Sequence, residues 1–231
     1  EAALAAQDNI PNGLGQGGLQ PAAGIQIDPS LWAGAKSPTQ AQGGDGRTQV
    51  TVDQTQDKAI LTWDSFNVGR ETDLKFDHHG NSHWITLNRV LDPGADPSRI
   101  LGTIKADGAV YLINRNGIIF AGAPQVNARN PIASTANITN EQFRDFGIHM
   151  REVPSPNWWE PPIQVAAFQG AEGTVKVEAG ARIATSNPKT VVEAGGYVML
   201  LGSEVENAGT IVTDRGQTIL AAGDDILIRP G

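Results

Sequence analysis

The stretch GGYVMLLGSEVENAGTIVTDRGQTILAAGDDI, residues 195–226, decides the fold. Glycine stands at every seventh position, at Gly195, Gly202, Gly209, Gly216 and Gly223. Three residues after each comes a β-branched aliphatic: Val198, Val205, Val212, Ile219 and Ile226. A coiled coil also repeats every seven residues, but its repeated position is apolar and helix-forming. Glycine there costs a helix about 1 kcal/mol relative to alanine. The runs between glycines are short and β-rich, each reading as a strand that ends in a turn. Three such runs make a coil of about 21 residues, within the range of solenoid repeats. Stacked coils would lie about 4.8 Å apart, the spacing of paired strands. The pattern predicts a parallel β-helix with the five aliphatics pointing inward. An antiparallel sandwich with regular turns is the competing arrangement.

Composition fits this class. Of 231 residues, 27 are Gly and 14 Pro, while only 18% are charged, a turn-rich all-β balance. A net charge of −8 without a basic cluster argues against nucleic acid as a partner. No apolar run is long enough to cross a bilayer as a helix. Cysteine is absent, which spares a chain crossing an oxidising compartment from disulfide trapping. The chain opens on Glu1 rather than Met, which reads as a processed product or an excised fragment.

One continuous domain over residues 1–231 is expected, because each coil of a solenoid rests on its neighbour. Residues 1–24 read as a lead-in and cap, with a capping strand near Gly24–Ile27, and 34–48 as an exposed loop. Short alternating runs follow between Gln49 and Phe120. One short helix is expected over Asn140–Phe146, with Thr139 as its cap. Residues 147–169 break the pattern with four prolines and the pair Trp158 and Trp159, and predict an excursion outside the helix. The area a Trp buries favours packing of the pair back onto the β-helix over an exposed aromatic platform for a sugar. Regular coils resume over 170–231.

From Asp57 to Phe146 the chain resembles a known family. AILTWDSFNVG (59–69), LNRV (87–90), DPSRILGTIKADGAVYLINRNGIIFAG (96–122) and ASTANI (133–138) are similar to the N-terminal secretion domain of two-partner secretion exoproteins. These are the filamentous haemagglutinin-like adhesins of Gram-negative bacteria and their relatives. The resemblance implies an all-β, right-handed parallel β-helix with an N-terminal cap and extra-helical β elements. It further implies recognition by the periplasmic POTRA domains of a dedicated outer-membrane Omp85-type transporter, which exports the exoprotein through the periplasm to the cell surface or medium. It implies no cofactor, no small-molecule substrate, and a monomer. The family's Asn-Pro-Asn-Gly-Ile is here Asn114, Arg115, Asn116, Gly117 and Ile118, the residues that would carry transporter recognition. Pro suits the second position of a turn; Arg115 can adopt that conformation without enforcing it. The same residues would also be wanted for the turn alone.

Other constellations carry weaker signals. Asp77, His78, His79 and His83 gather three of the four histidines. Neighbouring strand residues point to opposite faces, so a solvated hairpin tip is expected rather than a metal site. A polysaccharide-cleaving β-helix would need two carboxylates across a cleft; Asp92 with Asp96, Asp224 with Asp225, and Glu204 with Glu206 are close in sequence, all in solvated contexts. No phosphate loop, nucleophile elbow or HExxH is present, so no enzyme is expected. Arg89 and Arg99 are expected to pair with Asp92, Asp96 or Asp107 and fix a turn. The alternative function is a carbohydrate- or host-surface-binding module using Trp158 and Trp159.

Overall fold

The computed structural model describes residues 9–186 and 194–229. Within them the chain winds through three parallel faces in constant order. The long face stacks Lys58–Phe66, Ile85–Val90, Ala109–Ile113, Asn130–Ser134, Tyr197–Gly202 and Gln217–Ala222. The second face stacks Ser98–Ile100, Ile118–Phe120, Thr174–Val177 and Glu204–Asn207. The third stacks Thr48–Asp53, Thr72–Asp77, Thr103–Ala106, Gln125–Ala128, Arg182–Thr185 and Thr210–Val212. Every pairing among these strands is parallel. This is a three-sided parallel β-helix.

The lumen is filled by in-register columns. On the third face Val50, Leu74, Ile104, Val126, Ile183 and Ile211 stack in turn, all but Ile211 buried. On the long face Leu61, Asn88, Leu112, Ala133, Leu200 and Leu220 stack. Each fully buried aliphatic contributes about 1.5–3 kcal/mol. Asn88 is tolerated inside because its side chain accepts from Trp63 Nε1 at 3.0 Å and donates to the Tyr111 carbonyl at 3.3 Å.

The seven-residue glycine register marks the corners of the coil, but its aliphatics do not all face inward. Val198 is fully buried in the lumen, and Val205 packs against the same cluster. Val212 faces outward, its strand neighbour Ile211 being the lumen residue. The cause is coil length: Tyr197 stacks on Gln217, a coil of 20 residues rather than 21, and a one-residue slip reverses a side chain's face. Ile219 and Ile226 pack against a different cluster on the outside of the long face. The corner glycines are required mainly by close approach. A Cβ on Gly216 would strike the Gly196 carbonyl, and one on Gly196 the Arg129 carbonyl.

That outside cluster is a second core. Ile60, Leu87, Tyr111, Ile132, Met199 and Ile219 form an in-register column on the outer side of the long face. It is covered by Ile138, Phe143, Ile148, Ala167, Phe168 and Ile226, so the excursion packs down from before residue 138. One helical turn, Gln142–Phe146, anchors the cover; Thr139 Oγ1 accepts from the Gln142 amide at 3.1 Å, as the sequence predicts. Arg89 does not pair with the aspartates. It is half-buried, donates to Asn140 Oδ1 at 2.8 Å and to the Ile138 carbonyl at 2.6 Å, and desolvation lowers its pKa. Arg99 contributes its amide, which donates to Asn67 Oδ1 at 2.7 Å.

The N-terminal cap differs in detail. The capping strand is Leu19–Pro21, antiparallel to Lys58–Phe66, and Ala23–Gln26 is a 3₁₀ turn. Trp32–Ala33 pairs antiparallel with the same strand. Within the expected loop, Thr39–Gln42 forms an exposed strand antiparallel to Thr48–Asp53.

The histidine segment is solvated only in part: His79 and His83 are exposed. His78 is fully buried. Its Nδ1 accepts from the Gly108 amide at 2.8 Å, so Nε2 carries the proton and donates to Thr86 Oγ1 at 2.9 Å. Thr86 in turn donates to Gln54 Oε1 at 2.5 Å. Burial pulls the His78 pKa from 6.5 down to about 4, with Asp107 and Asp77 opposing the shift and His79 adding to it. Between those values the unfolded chain binds a proton that the folded chain does not. The contribution of His78 to stability is therefore complete above about pH 6.5 and is lost as pH drops toward 4, by up to about 1.4 kcal/mol per unit.

Two outcomes are expected in urea denaturation. The midpoint falls between about pH 7 and about pH 5, and His78→Gln flattens that slope while costing about 1–3 kcal/mol at neutral pH. Leu200→Ala costs about 2–5 kcal/mol by opening the lumen, whereas Val212→Ala on the outer surface costs less than about 0.5 kcal/mol.

Candidate recognition surface

The turn Asn114–Gly117 joins the long-face strand Ala109–Ile113 to the second-face strand beginning at Ile118. Its geometry follows from residue type. The Gly117 amide donates to the Asn114 carbonyl at 3.1 Å, closing a β-turn. Asn114 Oδ1 accepts from the Asn116 amide at 3.0 Å, and its Nδ2 donates to Ser98 Oγ at 3.0 Å and the Asp96 carbonyl at 3.3 Å. One buried amide thus braces both its own turn and the preceding coil. Gly117 sits at φ 129°, and a Cβ there would lie 3.1 Å from Pro97 Cβ and 3.2 Å from the Thr174 carbonyl. Ile118 is fully buried in the lumen, stacked between Ser98 and Val175. The turn forms with Arg115 at its second position in place of proline.

The five residues therefore divide. Asn114, Gly117 and Ile118 are buried, while Arg115 is exposed and Asn116 half-buried. Arg115 pairs with Glu172 across the corner of the next coil. It also borders a cleft of about 300 Å³ between the turn, the helical turn and the returning chain, lined by Thr139, Gln142, Arg151, Val165 and Gln169. Nothing in the sequence pattern announces this cleft, because its walls come from segments far apart in the chain.

Trp158 and Trp159 do not pack back onto the β-helix. They stand at the tip of an antiparallel hairpin, Arg151–Val153 with Ile163–Val165, and are 90% and 67% exposed. Their rings meet edge to face, 5.7 Å between centroids and 86° between planes. Placed at the tip of a two-stranded hairpin rather than on a face of the β-helix, the indoles stay open to solvent.

Most of the remaining candidates have structural partners, through side chain or backbone. His79 Nε2 lies 2.9 Å from Asp53 Oδ1, Asp77 pairs with Lys75 at 3.2 Å, and His83 is exposed. Among the described residues, no three such side chains gather as a metal site would require. Asp92 Oδ1 accepts from the Gly94 amide, the Asp96 carbonyl accepts from Asn114, and Asp225 Oδ1 accepts from the Gly170 amide. The Asp224 carbonyl accepts from the Ala171 amide, Glu206 pairs with Lys176 at 3.0 Å, and Glu204 accepts from Thr174 at 3.3 Å.

Comparison with known proteins places this architecture. Over 90 residues the chain is 36% identical to a heme/hemopexin-binding protein of Haemophilus influenzae, taking in 39% of this chain and 9% of that protein. The corresponding protein of Haemophilus influenzae strain ATCC 51907 / DSM 11121 / KW20 / Rd is 25% identical over 178 residues, or 76% of this chain and 17% of that one. The chain thus spans less than a fifth of these relatives. The crystal structure of the HMW1 secretion domain from Haemophilus influenzae shares the fold, with a TM-score of 0.50 and 22% identity over 84% of this chain and 44% of that chain. A family model described as the TPS secretion domain matches residues 24–229, and with that span matched the chain belongs to the secretion domains of two-partner secretion exoproteins.

Proposed function

We propose that this secretion domain is read in the periplasm by the POTRA-type domains of a dedicated Omp85-type outer-membrane transporter, and that the outward side of the Asn114–Ile118 turn is part of what is read. The observation that carries this is the division of the turn. Three of its residues are consumed by the fold, and they hold Arg115 and Asn116 at a fixed place on the surface. Rigid presentation lowers the ordering cost of binding. The exposed edge strand Thr39–Gln42, paired on one side only with Thr48–Asp53, offers a second contact by strand addition.

Secretion domains of this family belong to exported proteins and not to a known class of enzymes. In this reading the domain starts export of a longer, adhesin-like exoprotein and acts as a monomer without a cofactor. Folding outside the cell, coil upon coil, would pull the chain outward, since each coil buries an aliphatic layer on the last.

Two variants separate surface from scaffold. Arg115→Pro keeps the turn, because proline suits its second position, and raises stability by about 0.4–1 kcal/mol. With Asn116→Ala added, capture by the transporter's immobilised periplasmic domains should fall while the circular dichroism spectrum holds. Asn114→Ala should instead lower stability by about 1–3 kcal/mol, because buried partners lose their hydrogen bonds. Undiminished capture and secretion of the folded Arg115→Pro/Asn116→Ala variant would remove the turn surface from the recognition site.

A further inference from the structure

The hairpin tip exposes apolar surface to which the proposed recognition of the turn gives no role. Residues 154–162, PSPNWWEPP, contain four prolines, two tryptophans and a single charged residue, Glu160. Trp158 and Trp159 are among the most exposed large apolar side chains described, and Pro161, Pro162 and Ile163 beside them are exposed as well. The loop is nevertheless ordered from within. Glu160 accepts from Ser155 Oγ at 2.8 Å and from Asn157 Nδ2 at 3.0 Å. The Glu160 amide donates to the Asn157 carbonyl at 3.0 Å, and the Asn157 amide to Ser155 Oγ at 3.3 Å.

We propose that this tip is a membrane-seeking element, in which Trp158 and Trp159, with Pro161, Pro162 and Ile163, dip into the headgroup region of a zwitterionic phospholipid surface. Three observations select a bilayer as the occupant. First, indoles settle at the boundary between hydrocarbon and water, where an apolar ring and a polar N–H are both satisfied. Second, unsatisfied amides are costly in a medium of low polarity; four of the nine loop residues are prolines without an N–H, and two more amides are bonded inside the loop. Third, the charge fits zwitterionic lipid. The chain carries −8 with no basic cluster, so an anionic surface repels it, while Glu160 and the indole faces both attract a headgroup ammonium. A flat sugar platform fits less well, because the two rings stand at 86° and share no common face.

The inference is independent of transporter recognition, and its test needs no transporter. The full chain is floated with phosphatidylcholine vesicles, with phosphatidylglycerol vesicles, and without lipid. The same is done for Trp158→Ser/Trp159→Ser, whose exposed positions should leave the melting transition unchanged, and for the milder Ile163→Ser. The expected result is partition onto phosphatidylcholine that falls roughly tenfold in the double variant and less in Ile163→Ser. Binding should survive about 0.5 M salt and be weaker on phosphatidylglycerol. No binding to phosphatidylcholine, or equal binding by the double variant, overturns the proposal. So does capture of a soluble glycan or of the transporter's periplasmic domains that depends on both tryptophans while vesicles are ignored.

Discussion

Register between successive coils is the constraint on which the rest depends. A parallel ladder holds each strand directly over its predecessor, so a lumen side chain must find a partner of compatible size one coil away. The column Val50, Leu74, Ile104, Val126, Ile183 and Ile211 satisfies this on the third face. At the corners the same stacking brings backbones so close that Gly196 and Gly216 lie against the carbonyls beneath them. The Asn114 turn belongs to the same system, since its side chain bonds Ser98 and Asp96 on the coil below while its own turn supports the strand above.

A sheet apolar on both sides gives the second core its floor. Strands such as Ala109–Ile113 and Tyr197–Gly202 read as continuous apolar runs because one set of alternate residues fills the lumen and the other fills the space under the cover. Cations from this face then hold the cover down. Arg89 bonds the chain entering the helical turn, and Lys58 donates to the Phe143 carbonyl within it. The cleft beside Arg115 exists because this cover meets the corner at that point.

How far this was legible in the sequence depended on whether the signal was local. The turn at Asn114 and the cap at Thr139 each rest on residues within a few positions, and each forms as the sequence predicts. The inward face of the C-terminal strands rests on coil length, and a coil of 20 residues moved Val212 outward and put Ile211 in its place. A run such as YVMLL does not say which face meets the lumen, so Ile219 and Ile226 were assigned to the wrong core. The buried place of His78 depended on Gly108, a coil away. Area alone favours covering Trp158 and Trp159, yet at the tip of their hairpin both stay exposed.

The excursion leaves the strands of one coil waiting. Ala109 meets its successor at Asn130, within a single coil. Gln125 cannot be covered until Arg182 arrives, and Ile118 not until Val175, because the whole cover lies between them in the chain. A chain emerging in order therefore presents the Asn114 turn with its upper side open until the whole cover has followed. Gly173 then settles against the backbone of Arg115 and Gly117 and shuts it. In such an ordered emergence the interruption would act as a timer, holding that side of the coil accessible until the segment that follows has been delivered.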